Sequence, residues 1–110
     1  MVKANAYGHG MHRVGPALAP VSDALCVATL DEAITLRPHV SKPIIMLYPV
    51  PHPAVDEALE IDIELPVMSA ADFEAIQNAV PEGHAPVRIH LGVETGMGRG
   101  GLQPENVVAV

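Results

Sequence analysis

The chain has 110 residues, 49% of them hydrophobic, with one Phe, two Tyr and no Trp, so it can build one domain around an aliphatic core and is not a disordered tail. Its formal net charge is -7, and its basic residues, Lys3, Arg13, Arg37, Lys42, Arg88 and Arg99, are scattered, which argues against a nucleic-acid surface. The single cysteine excludes an internal disulfide, no stretch approaches the roughly 20 apolar residues of a membrane span, and the expected compartment is the cytoplasm.

Met1 to Ala4 is expected to be the end of a strand. Gly8 and Gly10 punctuate the next segment, and a helix is expected from Met11 to Leu18. Ala24 to Thr29 forms the next strand, in which Cys26 reads as a small buried hydrophobe rather than a nucleophile. A helix follows over Asp31 to Arg37, with Thr29 or Asp31 near its N-cap and Pro38 as its stop. Pro43 to Tyr48 is apolar on both faces, as a parallel strand covered by helices should be. Pro49, Pro51 and Pro53 then enforce a loop before a short helix over Ala54 to Leu59. Ile61 to Val67 alternates as a strand. Ser69 caps a helix over Ala70 to Ala79, with Asp72 in its first turn. Pro86 to Val93 is the last strand, and a helix is expected to start near Pro104.

The expected strand ends, near residues 3, 28, 48, 67 and 93, recur every 20 to 26 residues or so, the period of repeated βα units. Such units build parallel α/β sheets, either barrels or doubly wound. An eightfold TIM barrel needs about 250 residues. About four units are present here, so the expected fold is roughly the first half of a (β/α)8 barrel; a small flavodoxin-like doubly wound sheet is the alternative.

Two stretches carry chemistry. In Val2-Lys3-Ala4-Asn5-Ala6-Tyr7-Gly8-His9-Gly10 a lysine ends an apolar strand and is followed at once by a glycine-punctuated loop. In barrels that edge holds the active site. A poorly solvated lysine there has a lowered pKa and can form an imine, although a lysine near a chain start is most often just solvated. In Gly92-Val93-Glu94-Thr95-Gly96-Met97-Gly98-Arg99-Gly100-Gly101 the glycines allow close backbone approach to a ligand, and Arg99 suits a carboxylate or phenolate. A flexible turn with a solvated arginine is the plain alternative. Strand alternation puts Arg88, His90, Gly92 and Glu94 on one face and Ile89, Leu91 and Val93 on the other. The remaining histidines, His12, His39, His52 and His84, share no metal-ligand spacing and read as solvated, and His90 as a hydrogen-bonding group rather than a catalyst. No metal site is expected.

Both stretches resemble motifs of the alanine racemase family. Val2 to Gly10 is similar to its pyridoxal-phosphate lysine motif, and Glu94 to Arg99 to its Asp-Thr-Gly-Met-Gly-Arg loop. Val27 to Ala33 and Lys42 to Ile45 resemble its second and third strand regions, in the right order, so the resemblance covers residues 1–110. It implies a TIM barrel followed by a β-rich domain, a homodimer, and the interconversion of L- and D-alanine. It also implies that Lys3 forms the internal aldimine with pyridoxal 5'-phosphate and serves as one of two opposed bases. Tyr7 would stand beside the cofactor. Arg99 would contact its phenolic oxygen and help hold the substrate carboxylate. Asn5 and His9 read as loop architecture. A broad-specificity amino-acid racemase and a non-catalytic pyridoxal-phosphate carrier of the same barrel are the alternatives.

Departures from the family pattern are specific. The second base is a tyrosine of the C-terminal domain, which is expected to lie outside this chain, as are most phosphate-binding residues. Alone, the chain is therefore expected to be inactive. Glu94 stands where aspartate is usual. Gly92 stands where many members carry a lysine, often carbamylated, that orients the arginine. Glu94, on the same face, is one candidate to supply the missing anion, and a bound chloride is another.

Overall fold

The computed structural model describes residues 1–109. After a turn, α1 (Lys3–Tyr7), come α2 (Met11–Leu18), β1 (Leu25–Val27), α3 (Leu30–Leu36), β2 (Ile44–Met46), α4 (Val55–Glu60), β3 (Leu65–Val67), α5 (Ala70–Ala79) and β4 (Ile89–Leu91). A 3-10 turn over Pro104–Ala109 replaces the α-helix expected there.

The strands are parallel and adjacent in chain order. Leu25 pairs with Ile44 and Leu65 with Ile89. A bridge between Ile45 and Glu64 joins the two pairs, with the Glu64 N–H donating to the Ile44 carbonyl at 2.8 Å and the Met46 N–H to the Glu64 carbonyl at 3.0 Å. The Val2 N–H donates to the Cys26 carbonyl at 2.9 Å, so the first segment lies along the other edge of β1. This sequential order is that of a partial α/β barrel. A flavodoxin-like sheet would interleave its strands out of order.

The helices cover one face of these strands. Leu25, Val27, Ile44, Met46, Leu65 and Val67 point into that layer and are buried, with Val2, Leu36, Ala58 and Ile76. Each large aliphatic side chain so buried contributes about 1.5–3 kcal/mol. Helix α2 approaches α3 closely at the buried Gly15, where even a Cβ would lie 2.5 Å from the Leu36 side chain. Cys26, expected to be buried, is only half-buried, because it alternates with Leu25 and Val27 and faces away from the helices.

Two helix starts are set by their caps. Thr29 and Glu32 form a reciprocal capping box at α3. At α5 the Ser69 hydroxyl accepts from the Asp72 N–H at 3.2 Å. Among the described residues no helix is long and apolar enough to cross a membrane.

Candidate functional site

The sequence predicts a strand over Met1 to Ala4, and here the structure corrects it. Only Val2 makes a strand-like bond. Ala4, Asn5, Ala6 and Tyr7 take φ of 51°, 53°, 54° and 53°, a left-handed turn closed by Gly8 at φ 86°. Left-handed backbone costs roughly 1–2 kcal/mol for each non-glycine residue, so other contacts must hold this run. Several do. The Ala6 N–H donates to the Val2 carbonyl at 2.8 Å, and the Gly10 N–H to the Asn5 carbonyl at 3.0 Å. The Asn5 side-chain oxygen accepts from the Met11 N–H at 2.8 Å, and His9 Nδ1 lies 3.0 Å from the Ala6 carbonyl oxygen. Asn5 and His9 are thus loop architecture. Ala6 is buried beneath the turn, whereas Tyr7 is 60% exposed.

Lys3 is half-buried at the head of this turn, beside the C-terminal end of β1. Its amine has no ion pair or hydrogen bond among the described residues.

Beyond β4 the chain closes a loop on itself. The Leu102 N–H donates to the Gly92 carbonyl at 2.7 Å, and the Glu94 N–H to the Leu102 carbonyl at 2.9 Å. Gly101 makes this closure possible: its φ is 123°, and a Cβ there would lie 2.9 Å from the Glu94 nitrogen and 3.0 Å from the Gly92 oxygen. Arg99 is exposed on the loop and makes no ion pair among the described residues. The Gly96 N–H donates to the Glu94 carboxylate, and the Gly98 and Gly96 backbone N–H groups together hold its pKa below the ordinary value. In this structure the Glu94 carboxylate turns to the loop's own backbone and makes no ion pair with Arg99 among the described residues.

Gly92 does face a neighbour. The sulfur of Met68, at the end of β3, lies where a Gly92 Cβ would be, so any side chain at 92 requires Met68 to move. Sequence reasoning missed Met68, since nothing local marks a contact between residues 24 positions apart. It also missed Glu64 as the group that organises the polar face. Glu64 takes His90 Nε2 at 2.7 Å and Arg88 at 3.4 Å. His90 is therefore a hydrogen-bonding group, as expected. His52, expected to be solvated, is exposed but also lies 3.2 Å from the Asp72 carboxylate.

Lys3, Tyr7 and Arg99 all lie on segments at the C-terminal edge of the parallel strands, where barrel active sites form. No hydrogen bond or ion pair joins the three among the described residues. What the edge offers is an amine on a strained turn and a guanidinium on a glycine-rich loop, neither in an ion pair among the described residues.

Comparison with known proteins identifies the family. The family model described as alanine racemase, N-terminal domain, matches residues 1–110. An alanine racemase of Lactococcus lactis subsp. cremoris is 41% identical over 105 residues, covering 93% of this chain and 28% of that protein. One from Deinococcus radiodurans is 40% identical, covering 99% and 30%. Among solved structures, the biosynthetic alanine racemase of Pseudomonas aeruginosa superposes with a TM-score of 0.88 at 34% identity, covering 98% of this chain and 30% of that one. The alanine racemase from E. faecalis gives 0.84 at 40% identity, covering 92% and 28%. The chain thus spans less than a third of the length of these relatives. With the family model matched from residue 1 to residue 110, the chain belongs to the alanine racemase family, in its N-terminal domain.

Proposed function

We propose that this chain is the N-terminal part of a cytoplasmic, homodimeric, pyridoxal-phosphate-dependent alanine racemase that interconverts L- and D-alanine, with Lys3 as the residue that carries the cofactor. The observation that supports this reading best is the setting of Lys3: a half-buried residue at the strand edge, its amine in no ion pair among the described residues, directly before a left-handed run of four non-glycine residues. Backbone strain of that kind persists where the surrounding structure over-determines it, and it clusters at active sites.

The residues suit the group. Pyridoxal phosphate, when bound, supplies an electron-withdrawing ring that stabilises negative charge at the substrate α-carbon. Lys3 would hold it through the side-chain amine and exchange a proton with the α-carbon from one face. Tyr7 would stand beside the ring. Arg99 would present its planar fork to the phenolic oxygen and to the substrate carboxylate, where charged hydrogen bonds are strong. The glycines around Arg99 would leave room for backbone to come close to both.

The test uses the full-length protein. It is loaded with pyridoxal phosphate, reduced with borohydride and mapped by peptide mass, and turnover is followed by the appearance of D-alanine from L-alanine. The cofactor mass is expected on Lys3, and Lys3→Ala should abolish both labelling and racemisation. Labelling at another lysine, or racemisation surviving Lys3→Ala, would overturn the assignment.

A further inference from the structure

The carboxylate of Glu32 does more than cap its own helix. In a capping box the acidic side chain reaches back to the N-cap N–H. Here that bond, from Thr29, is the longest of three at 3.3 Å. The two short ones go elsewhere. Oε2 accepts from the Ala28 N–H at 2.8 Å, where β1 ends, and Oε1 accepts from the Ala4 N–H at 2.7 Å, across 28 residues of chain. Ala4 directly follows Lys3 and is the first of the four left-handed residues.

Lys3 is therefore bracketed. On one side Val2 is fully buried and bonded to Cys26, and on the other Ala4 is bonded to Glu32. A carboxylate is an acceptor only, which suits three donors that converge on it. We infer that Glu32 is a positioning residue for Lys3: its carboxylate ties the left-handed turn to the end of β1 and so fixes the backbone from which the lysine amine projects. This rests on the reading of Lys3 as the cofactor-bearing residue.

Glu32→Gln keeps size and shape but turns an NH2 group towards one of the donors. The first left-handed residue then loses its anchor and can relax. Thr29→Ala is the matched control. It removes the hydroxyl that accepts from the Glu32 N–H at 3.3 Å and leaves the Glu32 carboxylate in place. Both variants weaken the start of α3, and only one releases Ala4. In the cofactor-free full-length protein, amide hydrogen exchange over residues 3–9 should quicken at least about tenfold in Glu32→Gln and stay near parent in Thr29→Ala. In the loaded enzyme Glu32→Gln should lower kcat about 10- to 100-fold, the scale of a misplacement near 1 Å, with KM nearly unchanged. Thr29→Ala should lower Tm without that loss.

Equal exchange over residues 3–9 and equal kcat in parent and Glu32→Gln would overturn the proposal, as would Thr29→Ala reproducing both effects. Failure of the underlying reading looks different. In that case the parent protein takes up no pyridoxal phosphate, or takes it up at another lysine.

Discussion

Replacing Gly101 with alanine should open the loop that carries Arg99. The backbone at 101 has φ 123°, outside the range an L-residue readily adopts, and such strain costs about 1–3 kcal/mol. Space is also short, because the new Cβ would press on the Glu94 nitrogen at 2.9 Å and the Gly92 oxygen at 3.0 Å. Both are backbone atoms, and both belong to the bonds that join Gly92 and Glu94 to Leu102. Neither can swing aside as a side-chain tip would. Loss of those two bonds adds about 1 kcal/mol each, and the loop relieves strain by giving them up, so the expected cost is about 2–4 kcal/mol. Gly98→Ala is the comparison: its φ is 69°, near the ordinary left-handed region, and a Cβ there meets nothing within 4 Å. It should cost only about 1–2 kcal/mol. The assay is amide hydrogen exchange at Glu94 and Leu102 in the full-length protein, where 2 kcal/mol corresponds to about a 30-fold faster rate. Exchange in Gly101→Ala no faster than in Gly98→Ala would refute the claim that close backbone approach at 101 holds the loop shut.

Gly92→Lys should lower Tm, because Met68 occupies the space beside residue 92, and adding Met68→Ala should restore part of the loss, a coupling of about 0.5–3 kcal/mol in a double-mutant cycle. With glycine at 92 the full-length enzyme should show no bicarbonate dependence, measured as turnover with and without added bicarbonate. Arg99→Lys keeps the charge but loses the planar fork, and steady-state kinetics should show turnover lowered by about tenfold. The Glu94 carboxyl has a lowered pKa through hydrogen bonds from the Gly98 and Gly96 N–H groups. Its contribution to loop order is therefore present above the ordinary carboxyl pKa and lost as pH falls through the lowered one. NMR of the Gly96 and Gly98 amides should show an acid transition that Glu94→Gln removes.

Much of the scaffold is legible in the residues themselves. Helix α2 starts and ends where the glycine and apolar pattern predicts, and α5 where Ser69 and Asp72 predict. Strands are shorter than their apolar runs. Pro43 to Tyr48 pairs only over Ile44–Met46, and Ile61 to Val67 only over residues 64–67, with Asp62 turned aside at φ 50°. Alternation shows which residues can be buried, whereas ladder length depends on how far the neighbouring strand runs. The Lys3 motif marks its lysine clearly but hides its backbone. Ala4, Ala6 and Tyr7 have no intrinsic taste for left-handed φ, and the contact at Glu32 comes from 28 residues away. The contact of Met68 with Gly92 is equally tertiary.

The sequential order of the strands also bears on how the chain emerges during synthesis. Leu25 waits for Ile44, Ile45 for Glu64, and Leu65 for Ile89, so each new partner arrives about twenty residues after the last. Closing loops of that length carries nearly the same modest entropy cost each time. Among the described residues β1, β2 and β3 each receive a neighbour from the next strand in the chain, which an interleaved sheet does not allow. A ribosome delivering this chain would present each strand to an edge that has just formed, and the growing edge moves with the nascent end. The segment with Lys3 docks first, on β1, and its turn is pinned once α3 brings Glu32 alongside, long before the Arg99 loop has been made.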